Sequence, residues 1–116
     1  MKRSIGVDLH KSAFTVCYYE SDEKHEFKTY QVNRMNLGYF KNTLKKTDEL
    51  AVESTGNTAF FVREVQSKVK RVRIVNPFQF KVISSSVKKT DEKDAFTIAK
   101  FLHKDLIPEV RQRTQE

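Results

Sequence analysis

Cysteine is almost absent from this chain: Cys17 is the only one among 116 residues. No internal disulfide and no cysteine metal cluster is therefore possible, and Cys17, inside the apolar run 14–19, reads as a small core residue. Long apolar runs are missing too. No stretch approaches the roughly 18 consecutive apolar residues of a membrane span, and Lys2 and Arg3 lead into no apolar segment of a secretory signal. The expectation is a protein of the reducing cytoplasm with no membrane partner. Internal repeats and low-complexity segments are lacking as well. One further absence is local. Between Glu64 and Asp91 there is no acidic residue, whereas Lys68, Lys70, Arg71, Arg73, Lys81, Lys88 and Lys89 all fall there.

That gap makes the charge lopsided. Residues 1–60 hold nine Lys/Arg and eight Asp/Glu, residues 61–116 thirteen and seven, so the net +7 divides into +1 and +6. Such asymmetry favours a polyanionic partner, nucleic acid ahead of an anionic membrane, with a solvated basic face as the ordinary alternative. Nine Phe, four Tyr and 38% hydrophobic residues argue against disorder. At this length they fill one sizeable core, hence one domain.

Residues 3–9 and 12–20 are rich in β-branched and aromatic side chains, and 25–32 is a less regular third run after the polar turn at 21–24. Three strands joined this closely make an antiparallel meander. The pattern then changes. Asn36 is a candidate N-cap for a helix carrying Leu37, Phe40 and Leu44. Residues 50–53 form a short strand, and Thr55 or Asn57 caps a second helix with Ala59, Phe60, Val62 and Val65 as its apolar residues. Residues 71–75 alternate basic and apolar side chains and stop at Asn76-Pro77. From Asp91, the residues Ala95, Ile98, Ala99 and Leu102 mark a third helix; Pro108 ends it or kinks the chain soon after. The order is βββ-α-β-α-β-α. Right-handed crossovers set the fourth strand parallel to the first; if they pair directly, the result is an α/β fold with a mixed sheet of order 3-2-1-4-5.

In that arrangement Asp8 and Glu53, each following apolar residues in a strand, lie side by side. Asp91 and Asp94, three apart at a helix start, share a helix face. A two-metal phosphoryl-transfer site needs several hard oxygen ligands around ions about 3.5–4 Å apart, and carboxylates suit it. Without cations, such carboxylates repel one another and raise their own pKa values. Each acid also has an ordinary use: Asp8 as a turn cap with Lys11, Glu53 as a cap or lysine partner, Asp91 as an N-cap, Asp94 as a favourable first-turn charge. Their joint placement says more than any one of them. His10, His25 and His103 are too scattered for a metal motif and read as surface residues, although His10, two residues after Asp8, shares its strand face and can also line the site. Lys88 and Lys89 suit a nucleic-acid backbone close to the Asp pair.

Taken together, Gly6-Val7-Asp8-Leu9-His10-Lys11, Val52-Glu53-Ser54-Thr55-Gly56, Val75-Asn76-Pro77 and Lys89-Thr90-Asp91-Glu92-Lys93-Asp94-Ala95 resemble the N-terminal domain of bacterial DEDD transposases. These are insertion-sequence enzymes related to the Piv and MooV invertases. The likeness runs over nearly the whole chain, and the ordered set of motifs is highly specific. It implies a RuvC-like domain of the ribonuclease H-like fold, with Asp8, Glu53, Asp91 and Asp94 as the acidic tetrad that binds magnesium, for which manganese is the usual substitute. It implies DNA as substrate, strand cleavage and transfer as activity, an element-encoded guide RNA as a possible second partner, and an oligomer when full length. Family members continue into a linker and a C-terminal domain that supplies a serine. On that pattern residues 1–105 are the catalytic domain and 106–116 the start of the linker, and the fragment alone is expected not to recombine DNA. Lys11 and the basic residues of 68–89 are the candidate nucleic-acid contacts.

Two rival functions share these features. A stand-alone RuvC-type junction resolvase has the same carboxylates and needs no further domain. A non-catalytic nucleic-acid-binding module uses its acids only as caps. An ATP-handling domain of the actin and sugar-kinase class is disfavoured, because its Gly-x-Asp strand leads into a glycine-rich phosphate turn where this chain has Leu9-His10-Lys11.

Overall fold

A computed structural model describes residues 2–53, 58–75 and 91–106. Among these residues are five strands and three α-helices: β1 (Ser4–Leu9), β2 (Ala13–Ser21), β3 (Lys24–Gln31), α1 (Arg34–Asn42), β4 (Glu49–Glu53), α2 (Thr58–Val65), β5 (Arg71–Val75) and α3 (Asp91–His103). The sheet order is β3-β2-β1-β4-β5, as the crossover argument requires. β1 pairs antiparallel with β2 and parallel with β4, and β5 continues the parallel half.

The central strand β1 is buried along its whole length. Its side chains alternate between two faces. Ile5, Val7 and Leu9 join Phe14, Val16, Leu50 and Val52 in one core closed by Leu37 and Phe40 of α1 and Phe61 and Val65 of α2. Ser4, Gly6 and Asp8 face the other way, toward α3. That side is divided into two small clusters, Ala51, Val75, Ile98 and Leu102 in one and Cys17, Tyr19, Ala95 and Ala99 in the other. The sheet is thus the middle layer of three.

Local signals differ from expectation in two helices. α1 is capped by Asn33 rather than Asn36: the Asn33 side chain accepts the Asn36 backbone N–H at 2.8 Å. α2 buries Thr58, Phe61 and Val65, leaving Ala59 and Phe60 outside, with Phe60 42% exposed. The apolar pair Phe60-Phe61 fits either helical register, and packing against Phe14 and Phe40 selects the second. α3 ends before Pro108, in a Schellman-type turn. Asp105 sits at φ 59°, its N–H reaches the Leu102 carbonyl, and the Leu106 N–H reaches that of Phe101. The tract expected to begin the linker lies outside the described residues from 107 onward, as does the connector at 84–86.

At the start of the parallel strands a buried ion pair ties distant segments together. Arg3 donates to both carboxylate oxygens of Asp48, at 3.1 and 2.7 Å, and to the Thr43 carbonyl at 2.7 Å. Asp48, fully buried, also accepts the Lys45 N–H. Its lone pairs are therefore satisfied, the condition under which a buried carboxylate is tolerated.

Candidate functional site

The carboxylates gather at the opposite end of the sheet, where β1 and β4 finish. Register fixes the first two. Val7 pairs with Val52, so Asp8 and Glu53 follow on adjacent parallel strands and share a face. Asp8 belongs to β1 because antiparallel pairing with Thr15 continues through it. It is 1% exposed. On the same face α3 runs against β1 in the opposite direction, which brings its first turn, with Asp94, to the Asp8 end. Asp94 and Glu53 are half-buried. The backbone of Asp91 begins the same helical turn.

Burial pushes the Asp8 carboxyl up to about 7. The charge and hydrogen bond of His10 oppose that rise, while the negative charges of Asp94 and Glu53 add to it. The His10 Nε2 lies 3.0 Å from Asp8 Oδ2. Three carboxylates from β1, β4 and α3 are therefore electrostatically coupled around the least exposed of them. The positive end of the α3 dipole faces the same region and favours negative charge.

Among the described residues no three His, Cys, Asp or Glu side chains are grouped closely enough to hold an ion. The donor chemistry nonetheless fits one. Asp8, Glu53 and Asp94 offer only hard oxygen ligands, the type a magnesium-like cation takes, and a cation would offset the repulsion they exert on one another.

The basic candidates divide. Lys11 is exposed in the turn just past Asp8, at the carboxylate end. Lys68, Lys70 and Arg71 lie at the far end of the sheet, because Arg71 pairs with Glu49 at the start of the parallel strands. Arg71 is bonded to Glu49 at 3.2 Å and Arg73 to Asp105 at 2.6 Å, so both are engaged within the domain. Lys81, Lys88 and Lys89 lie outside the described residues. Of the other histidines, His103 is structural, its Nδ1 3.0 Å from Ser4 Oγ and its ring against Tyr19. His25 packs on Phe96.

Gly6 is the residue that sequence reasoning passed over. A side chain there would collide with α3. The available signal was a glycine in the middle of an apolar strand, which marks the close approach of another backbone.

Comparison with known proteins bears on the family and the fold. A family model described as a transposase, of the DEDD type named for IS110, matches residues 5–116. Among solved structures, that of T. thermophilus RuvC in complex with a Holliday junction substrate is similar, with a TM-score of 0.56 and 11% identity over 95% of this chain and 100% of that one. At that identity the likeness establishes the fold, a RuvC-like, ribonuclease H-like mixed sheet. No curated protein matches the chain by sequence. Among the described residues no helix is long and apolar enough to cross a membrane.

Proposed function

The chain belongs to the DEDD transposase family, and from that premise we propose that it is the metal-binding, nuclease-like domain of a DNA transposase, acting on DNA phosphodiesters. The observation that carries the proposal is the Asp8 carboxyl, almost wholly buried yet coupled to the charges of Glu53 and Asp94. A protein has little structural reason to gather like charges around a buried acid, and a metal site supplies one.

The tetrad Asp8, Glu53, Asp91 and Asp94 is the proposed ligand set, with magnesium the expected ion and manganese its substitute. A divalent cation bound there supplies charge neutralisation and polarisation of a phosphodiester. Asp8 is the central ligand, held by the strand pairing on both sides of β1. His10 orients it by its bond to Oδ2. Glu53 and Asp94 approach from the flanking strand and from the helix. Lys11, exposed at the same end, suits a phosphate of the substrate. Lys68 and Lys70, at the far end of the sheet, serve a second stretch of nucleic acid, either flanking DNA or a guide RNA.

A stand-alone junction resolvase is the second reading, supported by the extent of the RuvC likeness. Cleavage of branched DNA by this chain alone would favour it. Manganese titration by calorimetry tests the metal site common to both. The native chain is expected to bind and Asp8→Asn not to. A native chain that takes up no manganese, alone or with DNA, contradicts the proposal and favours a non-catalytic binding module.

A further inference from the structure

We propose that Gly6 is a positioning residue for the carboxylate cluster: its missing side chain lets α3 settle against β1 at the height that brings the first turn of the helix onto Asp8. The inference rests on the reading of Asp8, Glu53, Asp91 and Asp94 as metal ligands.

Two contacts define how α3 lies on β1. Ser4 Oγ meets His103 Nδ1 at 3.0 Å near the helix C-terminus. Gly6 meets Ala95 and Ala99 in the middle. Running opposite to the strand, the helix then carries its first turn to the Asp8 end of β1. Two strand residues advance about 6.6 Å and four helical residues about 6 Å. Ser4, Gly6 and Asp8 therefore keep step with successive turns of one helix face, and the middle contact governs the spacing of the last.

That middle contact admits no side chain. A Cβ at residue 6 would strike the Ala95 carbonyl oxygen first, then the Ala99 nitrogen at 2.5 Å and the Ala99 Cβ at 2.9 Å. Two of the three are main-chain atoms, so no rotamer change relieves them. Neighbouring positions are small as well: Gly6 pairs with Cys17 on β2 and with Ala51 on β4, and Ala95 and Ala99 are fully buried above them. The next level along the same strands carries Thr15, Asp8 and Glu53. Any lift of α3 at Gly6 is thus passed directly to the carboxylate level, and the aromatic core on the opposite face takes no part in it.

Gly6→Ala separates this role from folding. Cys17, fully buried in the cluster under Ala95 and Ala99, serves as a native reporter of helix seating in metal-free buffer. With the variant's fold verified by circular dichroism and a cooperative melt, a thiol reagent is expected to label Cys17 at least about ten-fold faster than in the native chain, and calorimetric manganese affinity to fall by about ten-fold or more. Ala99→Ser, which enlarges the helix side of the same contact, should move both readouts in the same direction by less, and it stands in if Gly6→Ala does not fold. Ile98→Val trims the same helix away from the contact and should leave both within about two-fold. A folded Gly6→Ala chain, or in its place a folded Ala99→Ser chain, with Cys17 protected and manganese affinity unchanged overturns the proposal. If the native chain itself binds no manganese, the site reading fails separately, and equal Cys17 labelling rates then overturn the seating role by themselves.

Discussion

The two faces of the sheet differ in what they bury. Toward α1 and α2 the filling is aromatic and continuous: Phe14 contacts Phe40 and Phe61 edge-on at 5.3 and 5.4 Å, and Tyr30 stacks on Phe14 at 5.0 Å. Toward α3 the buried residues include Ser4, Gly6, Asp8, Thr15, Cys17 and Ala51, small or polar, under two separate apolar clusters. One face supplies most of the stability. The other holds an acid where water is scarce and like charges are near, an arrangement that disfavours its ionised form.

The sharpest break in the comparison is Phe40→Ala. It removes a fully buried ring from the aromatic face and should destabilise the domain by about 3–5 kcal/mol in urea unfolding. The manganese affinity of the molecules that remain folded should not change.

Asp8→Asn should have the opposite sign. Asp8 titrates near 7 in the folded chain against an ordinary value of 3.8, so the folded state holds the proton more tightly. Its contribution to stability is full below about pH 4 and is lost as pH rises through 7. Above that point the ionised acid weakens the fold by an amount on the order of 2–4 kcal/mol. The stability difference between Asp8→Asn and the native chain should therefore grow from pH 4 to pH 8 in chelator, as read by denaturant midpoints at each pH.

Smaller effects sharpen the contrast. Asn33→Ala removes the α1 cap, on the aromatic side and far from the acids, and should lower stability by about 1 kcal/mol. Glu64→Gln breaks the partly exposed bridge to Lys41 between α1 and α2. It should shift stability by less than about 1 kcal/mol, most visibly at low salt. Neither should alter manganese binding.

Much of the aromatic face and the sheet order was legible because it rests on local pattern. The three-strand meander, the parallel return at β4 and the apolar positions Leu37 and Phe40 all follow from periodicity and turn residues. Where two neighbours were chemically alike, local reasoning lacked a tie-breaker: Asn33 against Asn36, Phe61 against Phe60. The candidate site was legible in part. Motif positions singled out Asp8, Glu53, Asp91 and Asp94; strand register then set Asp8 and Glu53 on one face, and the run of α3 across that face brought its first turn to them. The Arg3–Asp48 pair spans 45 residues of sequence, and the fit of Gly6 under Ala95 and Ala99 depends on the docking of a helix some 90 residues away. Such long-range complements leave no periodic trace. Charge counting likewise gathered Lys68, Lys70, Arg71 and Arg73 into one basic tract, whereas the fold sets the first three at the far end of the sheet and Arg73 midway along β5, with Arg71 and Arg73 bonded to acids.

On the proposed function, Asp8 is buried at an energetic cost that a bound divalent cation would remove. The melting temperatures of the native chain and of Asp8→Asn at pH 8, each in chelator and in excess manganese, test this. Asp8→Asn is expected to melt higher in chelator, and manganese to raise the native chain alone, closing the gap. A native chain that melts above Asp8→Asn in chelator, with neither responding to manganese, would contradict it.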